Sequence, residues 1–100
     1  MNNVARGKEI QNEIRRVLLS AWDPIGVRDE PNAESEYDSY IAGVYRLIAS
    51  GAAATEVVAH LHSLEHGMGF NETDETALLP VAEMLRSLDV RLTVDRPTRR

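Results

Sequence analysis

Cysteine is absent from the chain. Disulfides, thiolate metal ligands and cysteine nucleophiles are therefore excluded, a composition that suits a reducing compartment. Aromatic residues are scarce, with one Trp, one Phe and three Tyr among 100 residues. Alanine, leucine, valine and isoleucine must then build the core, which favours helices on propensity. No apolar run approaches the roughly 18 residues of a membrane span. The opening MNNVARGKEI lacks the apolar stretch of a secretory signal, so the expectation is a soluble, cytoplasmic protein with no membrane contact. Excess positive charge is missing too: the formal net charge is −5. Nucleic acid is thus not an expected partner, because its binding relies on a positive field that releases counterions.

One hundred residues is the length of one domain. A chain of this size removes roughly 60–70% of its unfolded surface from water on folding, enough to stand without staples. The acids are unevenly placed. Asp23, Asp29, Glu30, Glu34, Glu36 and Asp38 face a single base, Arg28, and this stretch alone carries the whole net charge. A second acidic patch follows at Glu72, Asp74 and Glu75, while the first helix and the C-terminal end are mildly basic.

Periodicity predicts four helices. Ile10, Ile14, Val17, Leu18 and Ala21 form one helical face in a segment from Val4 to about Trp22. Asp23-Pro24-Ile25-Gly26 stops it, since a residue before proline disfavours helical geometry and glycine accepts positive φ. Tyr37, Tyr40, Ile41, Val44, Leu47 and Ile48 form the face of a second helix expected from about Ser35 to the Gly51 stop. Gly43 inside it suggests a close helix crossing. A third helix is expected to be capped by Thr55, with Val57, Val58, Leu61, Leu64 and Met68 on its buried side. "GMGF" ends it and leaves Phe70 to fold back on the core. A fourth is expected from about Leu79 to Leu88, because Pro80 is easily placed in a first turn. The expected architecture is an all-α, four-helix bundle over residues 1–90, with a long acidic loop between helices 1 and 2. Residues 91–100 are expected to form an Arg-rich flexible tail, although VRLTVDRPTRR alternates briefly as an edge strand would.

One motif invites a catalytic reading. His62, Glu65 and His66 in HLHSLEH match the H-x-x-E-H pattern of inverted zinc peptidases, with two histidines one helical turn apart and a glutamate as base. Such an enzyme needs a third ligand and a cleft, and only Glu72, Glu75 and Glu83 lie downstream. The reading is therefore declined for the peptidase, and a bare two-histidine metal site at His62 and His66 stays as the alternative. No cofactor is expected.

The Trp22–Tyr40 connection divides into structural and surface residues. Trp22 continues the face of helix 1, with its indole N–H expected on a loop carbonyl. Asp23 is placed to bond the backbone two residues on, capping the Pro24–Gly26 turn. Ile25 and Val27 are expected to plug the loop onto the bundle. Acids at the start of helix 2 complement its dipole, which accounts for two or three of them but not for six. A solvated face is one explanation. The alternative is a docking surface for a basic protein, made by Asp29, Glu30, Glu34, Glu36 and Asp38. Tyr45 lies off the core face and is a candidate exposed contact.

Trp22-Asp23-Pro24-Ile25-Gly26-Val27, followed by Glu36-Tyr37-Asp38-Ser39-Tyr40, resembles a group of small bacterial helical proteins with a W-D-P-[IF]-G loop, the YugE-like domain of unknown function. The similarity covers roughly the first seventy residues in pattern, and the hexapeptide is its specific part. It implies a compact helical domain with no catalytic residues to carry over. The functional expectation is a non-enzymatic interaction protein, like an inhibitor or immunity protein, whose acidic face binds a basic partner. The alternatives are the metal reading at His62, Glu65 and His66, and a homodimeric structural or regulatory domain sharing a face near Tyr45 or Phe70.

Overall fold

The computed structural model describes residues 3–70 and 74–91, whose regular elements are all helical, with no strand among them. Four α-helices follow in order: α1 (Asn3–Val17), α2 (Ile41–Ala49), α3 (Ala54–Gly67) and α4 (Glu75–Arg86). Glu72 of the second acidic patch, and residues 92–100 of the expected tail, lie outside the described residues.

The expected apolar face of α1 is buried at Ile10, Ile14, Val17 and Leu18. The helix does not run to Trp22 as α-helix, however. Leu18–Trp22 form a π-helical turn, closed by the Asp23 N–H donating to the Leu18 carbonyl at 2.8 Å. This wider turn leaves Ala21 half-buried and sets Trp22 in the core.

The second helix starts later than Ser35. A chain of turns runs from Val27 to Tyr37, a 3₁₀ turn covers Asp38–Tyr40, and α2 begins only at Ile41. Tyr37 is nevertheless buried, as its place on the apolar face requires. The bonding within these turns competes with helix formation, as expected of a segment rich in Asp, Asn, Ser and Pro. Gly51, at φ 81°, ends α2, and the Ala52 N–H returns to the Leu47 carbonyl at 3.0 Å. Gly43 marks the close crossing of α2 and α3: a Cβ there would stand 3.3 Å from His60 Nε2.

Thr55 does not cap α3. The cap is Ala53, whose N–H donates to Glu56 Oε1 at 2.8 Å, so a first-turn glutamate supplies the bond in place of a hydroxyl. On the buried side Val57, Val58 and Leu61 stand as expected, but the next buried position is Glu65, with Leu64 and Met68 only half-buried. Phe70 is 37% exposed and does not fold into the core.

The fourth helix also starts earlier than Leu79. Asp74 accepts the Thr76 N–H at 2.9 Å and caps a helix that begins at Glu75, so Pro80 falls inside it. The proline costs one amide donor there, while the strong cap holds the turn before it. The helix ends at Arg86, two residues short of Leu88.

α3 packs chiefly on α4, while α1 meets α2 and α4. Leu18, Val44, Val57, Leu61, Ala82 and Leu85 lie at the centre of one apolar core. Arg6 ties α1 to the segment after α4 by donating Nε–H to the Arg91 carbonyl at 2.8 Å, and Arg86 donates to the Ala52 carbonyl at 3.0 Å. No helix of the described residues is long and apolar enough to cross a membrane.

Candidate functional site

The connection after Trp22 is organised by Asp23. Its backbone turns left-handed at φ 35° and ψ 59°, a conformation that Asp tolerates better than most residues. The side chain is buried and receives four donors. Oδ1 accepts the Val27 N–H at 2.8 Å and the Tyr37 hydroxyl at 2.9 Å. Oδ2 accepts the backbone N–H and the Nε–H of Arg28, both at 3.1 Å. The expected bond two residues on is not the one formed: the turn is wider and Asp23 reaches four and five residues ahead.

Tyr37 locks the other end of the connection, because its hydroxyl also accepts the Ile25 N–H at 3.0 Å. Burial pushes the Asp23 carboxyl up in pKa, but the donors from Val27, Tyr37 and Arg28 outweigh it and hold the group below its ordinary value. Burial, with the bond to Asp23 and the charges of Asp23 and Glu36, pushes the Tyr37 hydroxyl up to about 12 against the opposing Ile25 N–H. Gly26 takes φ 79° at the turn, as its position suggested. Pro24 is half-buried, Ile25 is exposed and Val27 half-buried, so only Val27 of the two expected plugs is partly covered.

The five acids expected to form a docking face divide. Asp38 is half-buried and paired with Arg15, whose Nε and a terminal nitrogen donate to its two oxygens at 2.9 Å each. That bond, ahead of the opposing desolvation, raises the Arg15 pKa. Asp29, Glu30, Glu34 and Glu36 are exposed, and among the described residues none of them is in an ion pair at contact distance.

Trp22 does not bond a loop carbonyl. Its Nε1–H donates to Glu65 Oε2 at 2.9 Å inside the protein. Tyr37 and Tyr40 surround the indole, with ring centroids at 5.3 Å (tilted) and 6.1 Å (edge-on). Glu65 is 7% exposed, and its Oε1 is buried without a hydrogen-bond partner among the described residues. Glu65 also lines a cavity of about 290 Å³ with Trp22, Phe70, Leu78 and Val81. This residue escaped the sequence reading as a core position. The signal was present, since Val57, Leu61 and Glu65 recur every four residues on one stripe.

The same geometry separates the members of the histidine motif. His62 and His66 meet edge to face at 4.8 Å, and His62 Nδ1 lies 3.6 Å from Glu75 Oε2. Glu65 is committed to Trp22 in the core and is not disposed to act as a base beside an ion between the two rings. Among the described residues no group of three or more His, Asp or Glu side chains is arranged to hold a metal. The third histidine, His60, has its pKa lowered by burial against Gly43.

A second groove, about 350 Å³, runs between α1 and α2, where Ile10, Ile41 and Tyr45 meet the Arg15–Asp38 pair. Tyr45 is half-buried there and is not the exposed contact its position off the core face suggested. No protein-family model, curated protein or solved structure matches the chain.

Proposed function

We propose that the chain is a small non-enzymatic helical bundle that docks a basic protein on the acidic connection between α1 and α2. One observation carries the reading: Asp29, Glu30, Glu34 and Glu36 are exposed and without contact ion pairs, on a segment pinned at Asp23 and Tyr37 by buried hydrogen bonds. A pinned segment pays little ordering entropy on binding, unlike a free acidic tail. Exposed like charges also speed encounter with a positive partner and lose that effect in salt. An inhibitor or immunity-type role follows this chemistry, because such a partner covers a cationic surface. The resemblance of Trp22–Val27 and Glu36–Tyr40 to the YugE-like domain supports a compact bacterial helical domain with no catalytic residues to carry over.

The test is co-purification from native lysate at low salt, comparing the wild type with a Glu34→Lys, Glu36→Lys variant. The expected result is a stoichiometric basic protein that leaves as salt rises and that the variant fails to retain. Equal retention by both proteins overturns the reading. Folding serves as the control, since these exposed positions should each change stability by under about 0.5 kcal/mol.

A further inference from the structure

The groove of about 350 Å³ between α1 and α2 has a direction. Gly7 and Tyr45 lie at one end and the Arg15–Asp38 pair at the other, with Ile10 and Ile41 between them. The chain leaving α4 arrives at the first of these ends. Arg6, next to Gly7 on α1, donates to the carbonyls of Asp89 and Arg91, Val90 is buried, and Arg91 shares a second depression with Tyr45. Residues 92–100 continue from there. In their sequence Leu92, Val94 and Arg96 alternate with Thr93 and Asp95, the spacing that puts three side chains on one side of an extended backbone. Arg96 also stands before Pro97, where helical geometry is disfavoured.

We propose that the groove is the docking site of the chain's own residues 92–96, with Leu92 and Val94 against Ile10, Ile41 and Tyr45 and with Arg96 at the carboxylates of Asp38 and Glu34. Length selects this occupant. From Gly7 to Arg15 α1 rises about 12 Å, and four extended residues cover about 13 Å, so Arg96 comes level with the far end. Charge selects it as well. Arg96, Arg99 and Arg100 outnumber Asp95, while the far end of the groove is acidic: Asp38 lines it, and Glu34 is near enough to add to the field on Arg15. A segment tethered at Arg91 acts at roughly millimolar effective concentration, so two apolar side chains and one ion pair suffice to hold it. The contact lies within the chain and stands whether or not the acidic connection docks a basic partner.

The test is disulfide closure in the full chain, which has no cysteine of its own to interfere. Ala42→Cys, at an exposed lining position of the groove, is paired with Val94→Cys, and the rate of closure in a glutathione redox buffer is read by mass and by non-reducing gel. The comparison pair is Met84→Cys with Val94→Cys. Met84 is exposed on α4, outside the groove and nearer in sequence, so a segment that does not dock closes this shorter loop at least as fast. Closure of the Ala42 pair is expected to be about tenfold or more faster than that of the Met84 pair. Arg96→Glu should slow it about threefold at low salt, and added salt should remove that difference. Equal or faster closure of the Met84 pair overturns the proposal, as does a rate indifferent to Arg96→Glu. Disulfide-linked dimers in place of closed monomers also overturn it, by assigning the groove to a second copy of the chain.

Discussion

Asp23 and Glu65 are the two buried carboxylates among the described residues, one next to Trp22 in sequence and the other bonded to its indole. Asp23 sits one residue beyond Trp22 and receives four donors, one from the guanidinium of Arg28. Among the described residues Glu65 receives one donor, from Trp22 itself, and its Oε1 has none. Burial costs a carboxylate several kcal/mol in each case, and what differs is how far local bonds offset it. A fully bonded carboxylate behaves as a joint of the scaffold. A half-bonded one leaves part of that cost without an offset from the described residues.

The contrast predicts a ranking of stability effects that urea denaturation can check. Asp23→Ala should be the most damaging, at about 3–5 kcal/mol, because it strands the Val27 N–H and the Tyr37 hydroxyl and puts alanine at positive φ. Asp23→Asn should separate charge from shape. The folded-state pKa of Asp23 is lowered, so its contribution is present above the unfolded value near about 4 and is lost as pH falls through the folded value. The Asn variant should therefore show a flatter acid limb than the wild type; an identical limb would mean that other carboxylates govern acid unfolding.

Trp22→Phe comes next, at about 2 kcal/mol, since it removes the one donor to the Glu65 carboxylate among the described residues while keeping an aromatic core. Arg28→Ala should cost about 1 kcal/mol or less, because the Arg28 side chain is about half exposed and its backbone N–H remains on Asp23. The double variant Trp22→Phe, Glu65→Met should be smallest, within about 1 kcal/mol of the wild type, because both partners of the buried bond give way to apolar chains of similar size. A loss as large as that of Asp23→Ala would erase the contrast and make both carboxylates scaffold.

Much of this was legible from spacing alone. The faces of α1 and α2, the Gly51 stop and the close crossing at Gly43 all follow from local rules of periodicity and glycine geometry. Helix starts were not. Ser35, Thr55 and Leu79 each look like a start, yet turns, a glutamate at Glu56 and the Asp74 cap decide the actual positions. The partners of polar groups were the least accessible. The Trp22–Glu65 bond joins residues 43 apart in sequence, and the Arg15–Asp38 pair joins residues 23 apart. No periodicity encodes such pairings, because they depend on how whole helices are docked. The four exposed acids carry no such long-range information, and for them composition was enough to suggest surface positions.

The π-helical turn at Leu18–Trp22 has a consequence for how α1 can change length. Such a turn amounts to one surplus residue accommodated without breaking the helix. Deleting Ser20, which is exposed within it, would restore ordinary α bonding and rotate everything downstream by about 100°. The indole would then swing off α3 and carry the left-handed corner at Asp23 with it. The azimuth of one tryptophan therefore couples the acidic connection to the cavity beside α3, and both depend on an exposed residue whose hydroxyl only donates back to the Arg16 carbonyl.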